Sequence, residues 1–165
     1  MTLTLWTARL ATLCYVVAVA LWLGRRRLTP AMRAWWTAGC VVFVVHVVAA
    51  FALVHDWSHT RALAATADQT AAFVGVASGA GLYLNYGFAV VWVGDVVWWQ
   101  AAPASYAARS AAVASAVHGF MAFMFVNATV VFGTASVRVA AMAALVILWR
   151  ARRRGRARLQ SHHDR

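Results

Sequence analysis

The sequence predicts an all-α integral membrane protein, a bundle of about five transmembrane helices with the N-terminus outside and the C-terminus in the cytoplasm. Three observations predict it. First, 64% of the 165 residues are hydrophobic and 12% are charged, whereas soluble domains run near half apolar and a quarter charged. A soluble fold of this size would leave too much apolar surface in water. Second, the basic residues are all arginine, and they cluster at the ends of apolar runs. Third, the tryptophans fall at those same ends, where an indole is half in hydrocarbon and its N–H meets water.

The first span reads as residues 3–23 and stops on Gly24-Arg25-Arg26-Arg27. Its apolar run continues past Ala18-Val19-Ala20 to that basic stop, which marks a retained helix and not a cleaved signal. The second span, 34–54, has the roughly 20 residues needed to cross the hydrocarbon core. A polar stretch from His55 to Arg61 follows. The apolar run 71–99 would cover about 44 Å as one helix, too long for a perpendicular crossing. Gly75, Gly79 and Gly81 divide it, so the third span is placed at 79–99 behind a short interfacial helix. Pro103 and Arg109 mark a turn before a fourth span at 111–133, and the fifth, 137–149, is short and carries Arg138. Residues 1–150 thus form the membrane domain, and 151–165 an arginine-rich tail too charged to pack.

Charge gives the orientation. Arg25, Arg26, Arg27, Arg33, Arg109 and the seven arginines after Ile147 fall on one side of this topology, and arginine excess marks the cytoplasmic side. A multi-pass protein of a bacterial cytoplasmic membrane is therefore expected. Its tail is suited to anionic lipid head groups, and no nucleic acid is expected because no binding motif accompanies the charge. Trp6, Trp22, Trp35, Trp36, Trp57, Trp98, Trp99 and Trp149 land at span ends, and Trp92 alone is interior.

Function must rest on the polar residues inside the spans, which are costly at membrane depth and tend to face the bundle interior. Counting the helical rise from the outer ends, Arg9, Asn85 and Asn127 lie about 9 Å deep and His46 about 12 Å deep, predicting a buried polar layer. Asp95 and His118 lie about 6 and 10 Å from the inner boundary. A carboxylate beside an imidazole there would form a proton-exchanging pair. His55 and His59, at i and i+4, would share a helical face and hold a metal ion, with Asp56 orienting a ligand and His46 below. The HxxxH spacing resembles the first histidine box of membrane di-iron desaturases, but those enzymes need several such boxes and this chain has six histidines, two of them, His162 and His163, in the tail. A haem held by His46 and His118 is disfavoured by a depth offset of about 8 Å. Cys14 and Cys40 show no paired-ligand spacing. Gly75-Val-Ala-Ser-Gly79 matches the small-xxx-small pattern of close helix packing.

Three functions follow from these residues. The chain is a non-catalytic membrane component with a protein partner or a second copy of itself; a metal- or haem-binding redox protein using His55, His59 and His46; or a proton-coupled carrier using Asp95 and His118. With four aspartates and no glutamate, hydrolysis by paired carboxylates is not expected.

Overall fold

The structure is a computed structural model that describes residues 2–25, 27–132, 139, 143, 146 and 149–150. The segment 137–149 lies largely outside these, and the tail 151–165 entirely so. Among the described residues the only regular secondary structure is helical: α1 (Thr2–Arg25), α2 (Pro30–Leu53), α3 (His59–Val74), α4 (Gly81–Ala101), α5 (Pro103–Ala107) and α6 (Ala111–Phe132). Helices α1, α2, α4 and α6 overlap the segments read as 3–23, 34–54, 79–99 and 111–133. Among the described residues three helical stretches are long and apolar enough to cross a membrane, Leu3–Arg25, Pro30–Leu53 and Ala111–Ala128. Helix α4 has the length, at 21 residues, but Asn85, Asp95 and Gln100 interrupt its apolar content.

Local chemistry sets the helix ends. Thr29 caps α2, accepting from the Met32 N–H at 3.2 Å, and Pro30 occupies the first turn, where its missing N–H costs nothing. Beyond α2, Asp56 and Trp57 both adopt positive φ (47° and 55°), a left-handed turn that separates α2 from α3. Ser58 then caps α3 by accepting from the Arg61 N–H. Gly75, at φ 78°, closes α3 in the left-handed conformation that only glycine adopts without strain. The apolar run 71–99 is therefore two helices, and the one before α4 starts at His59, earlier than the apolar run itself.

Helix α1 packs along α2, α2 along α4, and α4 against α3, α5 and α6. The core they enclose is aromatic. Trp36 and Trp92 are fully buried and lie 5.5 Å apart between ring centroids. Trp92 also meets Phe43, Phe88 and Phe125 at 5.4–5.7 Å, and Tyr15 stacks on Phe125 at 4.0 Å, which ties α1 to α6. In a bilayer such contacts hold helices by packing, because lipid tails are as apolar as the side chains. Gly39 makes the approach possible. A Cβ there would lie 2.9 Å from Trp92 Cζ2 and 3.0 Å from Cys14 Cβ. The outward faces of α1 and α2 are apolar, with Leu3, Leu5, Leu10 and Leu13 on one and Val41, Val44, Val45 and Val48 on the other all exposed.

The small-xxx-small reading of Gly75 and Gly79 does not hold as a helix face. Neither glycine lies within a helix, because Gly75 ends α3. Gly79 instead sits against α3 from the following turn, where a Cβ would meet Leu63 Cδ1 at 2.6 Å and the Leu63 carbonyl oxygen at 3.0 Å.

Candidate functional site

At the end of the bundle where α1 gives way to α2, side chains from α2, α5 and the turn before α6 converge on Asp95 of α4. This residue sits one and a half turns before the end of α4, on the face that also carries Trp92 and Trp99, and its side chain is 2% exposed. A carboxylate that deep must be met by donors. Asp95 Oδ2 accepts from the Trp36 indole N–H of α2 at 2.8 Å and from the Tyr106 hydroxyl of α5 at 2.8 Å. Asp95 Oδ1 accepts from Arg109 Nη1 at 3.2 Å.

Arg109 reaches the site because Pro103 starts α5, a single turn that carries the chain back under the helix ends. Its guanidinium lies 3.7 Å over the Tyr106 ring, a cation–π contact strengthened by exclusion of water. Tyr106 itself stacks on Trp99 at 4.5 Å with the planes nearly parallel. Burial pushes the Tyr106 hydroxyl well above its ordinary range, and the adjacent Asp95 carboxylate pushes it the same way. The hydroxyl therefore stays a donor. Trp98 Nε1 donates to Ser105 Oγ at 3.2 Å, and Gln100 Nε2 donates to Thr37 Oγ1 at 2.8 Å, further fixing this end of α4.

The second terminal nitrogen of Arg109 lies 3.1 Å from His118 Nε2. A guanidinium can only donate, so Nε2 accepts and the imidazole is neutral, with its proton on Nδ1. The ring stands between Trp22 of α1 at 5.7 Å and Trp36 at 5.3 Å. The expected Asp95–His118 pair is thus joined through Arg109. Of the cluster, sequence reasoning missed the roles of Trp36, Tyr106 and Arg109. One signal was available: a buried acid calls for a cation, and Arg109 is the first basic residue after Asp95.

The predicted polar layer at the other end does not assemble. His46 Nδ1 lies 2.9 Å from the Thr4 carbonyl and 3.2 Å from Thr7 Oγ1, tying α2 to the first turns of α1. Arg9 and Asn85 are exposed and Asn127 is half-buried. Among the described residues no hydrogen bond joins these three to one another or to His46. For Arg9 the reason is helical phase. The inward face of α1 is Ala11, Cys14, Tyr15 and Ala18, all buried, and Arg9 falls on the opposite side.

His55 and His59 do not share a helical face, because the left-handed turn at Asp56 and Trp57 and the Ser58 cap place His55 before α3 and His59 at its start. The His55 ring stands edge-on to Phe51 at 5.9 Å. His59 Nδ1 is 3.0 Å from the Tyr86 hydroxyl, and its ring stacks on Tyr86. Asp56 pairs with Arg61, on the surface. Among the described residues no three His, Cys, Asp or Glu side chains gather closely enough to hold a metal ion. Cys14 and Cys40 are both buried free thiols.

No family model, curated protein or solved structure matches this chain.

Proposed function

We propose that this chain is a multi-pass protein of a bacterial cytoplasmic membrane that acts as a non-catalytic component, a helical subunit assembled with a membrane partner. In this reading α1, α2, α4, α6 and the segment 137–149 each cross, and the arginine distribution puts the N-terminus outside. The Asp95 cluster then lies near the cytoplasmic face, and the tail arginines after Ile147 meet anionic head groups there.

The observation that supports a non-catalytic role is the closure of that cluster. Asp95 receives three donors from α2, α5 and Arg109, and the Arg109 charge offsets its own. Such an arrangement fixes helix ends, because any donor that left would strand a buried carboxylate without its partner.

The test is made on protein purified from its native membrane in mild detergent and reconstituted in vesicles. This reading expects a complex of defined stoichiometry larger than the 17.9 kDa chain, and proton flux indistinguishable between the wild type and Asp95→Asn. A lone monomer, or flux that Asp95→Asn abolishes, would contradict it.

A further inference from the structure

Arg9 places a charge on an otherwise apolar face. Its exposed neighbours on α1 are Leu5, Trp6, Leu10 and Leu13. Among the described acids, Asp56 pairs with Arg61 and Asp95 with Arg109, while Asp68 is exposed on α3. The Arg9 guanidinium carbon instead lies 5.3 Å from the centroid of the Trp6 ring, one turn nearer the start of α1.

Helical side chains lean toward the N-terminus. The Arg9 backbone stands about 10 Å along the helix from Thr2, and the lean over Trp6 carries the charge toward the helix end. A long basic side chain on a lipid-facing surface reaches for the boundary in this way, and an exposed indole settles at head-group level. The guanidinium fork matches a phosphate with two parallel hydrogen bonds.

We propose that Arg9 and Trp6 form a binding site for the phosphate of a phospholipid head group in the leaflet at the N-terminal end of α1. This rests on the membrane reading above. A second copy docked on the same face would bring two arginines together. An acidic helix of another protein would meet Arg9 at the depth of its backbone, whereas the side chain turns toward the helix end.

The test uses the full chain in neutral detergent, with bound lipid counted by native mass spectrometry. The probes are phosphatidylglycerol, a diglucosyl diacylglycerol of the same acyl chains, and inorganic phosphate. The proposal expects phosphatidylglycerol to be retained over the glycolipid, and Arg9→Gln to weaken that retention about tenfold, the loss of a charge-assisted bond. Arg9→Lys, which keeps the charge but not the fork, and Trp6→Leu should each weaken it less.

Equal retention in the wild type and Arg9→Gln overturns the proposal, as does equal retention of the glycolipid. Displacement by inorganic phosphate at equal concentration overturns the lipid as occupant. A photo-reactive residue at Leu10 that captures a protein in the wild type but not in Arg9→Gln would assign the face to a helix partner instead. Should Arg9→Gln not fold, unchanged phosphatidylglycerol retention in both Arg9→Lys and Trp6→Leu overturns the site. Failure of the membrane reading is seen separately, as release of the chain from membranes by alkaline carbonate.

Discussion

The guanidinium of Arg109 reaches back from the turn before α6 to the buried carboxylate of Asp95, 3.2 Å away, passing over the Tyr106 ring as it does so. Both side chains are nearly sealed from solvent, at 7% and 2% exposure. Around them Trp36, Tyr106 and His118 each contribute one polar contact from a different helix. The arrangement makes the register of α2, α4, α5 and α6 interdependent at one end of the bundle.

Trp36 and Trp92 separate hydrogen bonding from packing. Both are fully buried, but Trp36 donates to Asp95, while Trp92 Nε1 has no hydrogen-bond partner among the described residues. Replacing either by Phe removes a similar volume. Trp36→Phe also removes a donor to a charged acceptor, so it should destabilise by about 1.5–3 kcal/mol more than Trp92→Phe. Chemical unfolding in detergent compares the two, and equal losses would show that the indole bond contributes nothing.

Tyr106 predicts an alkaline effect. Burial, and then Asp95, raise its ionisation above the ordinary value of 10.0. A group whose folded value is raised contributes stability that is fully present below its unfolded value and is lost as pH rises through the folded one. Wild-type stability should therefore begin to fall above about pH 10 more steeply than that of Tyr106→Phe. Tyrosinate absorbance should agree, the wild-type minus mutant difference appearing only above pH 10.0. A difference centred at or below that value would contradict the buried placement.

Gly39 should not tolerate a side chain. A Cβ at 2.9 Å from Trp92 and 3.0 Å from Cys14 meets a fixed ring and a neighbouring helix, so Gly39→Ala should cost about 1–3 kcal/mol. Gly94→Ala is the control, since nothing lies within 4 Å of its added carbon. Thermal unfolding that fails to separate the two would put the α1–α2–α4 contact in doubt.

How much was legible in the sequence follows from these residues. Apolar runs and arginine stops locate α1, α2, α4 and α6 because hydrocarbon admits few alternatives to a long apolar helix. The interior placement of Trp92 was legible for the same reason. The Asp56–Trp57 turn was not, since positive φ at two non-glycine residues contradicts their local preference. That error aligned His55 with His59. Depth alone misplaced Arg9 because the layer ignored helical phase; Asn85 is exposed although it shares the α4 face of Leu82 and Phe88. At the Asp95 cluster, depth found two members, but the partners arrive from a five-residue helix and from a tryptophan read only as a boundary marker.

Asp95 and Arg109 act as one structural unit, and a double-mutant cycle measures their coupling. Asp95→Asn, Arg109→Gln and the combined variant are unfolded reversibly in the same detergent. Removing one partner leaves the other buried without its counter-charge, so each single change should cost about 3–5 kcal/mol. The double variant should cost clearly less than the sum, because the second change removes the charge that the first left stranded. Losses that simply add would contradict the account.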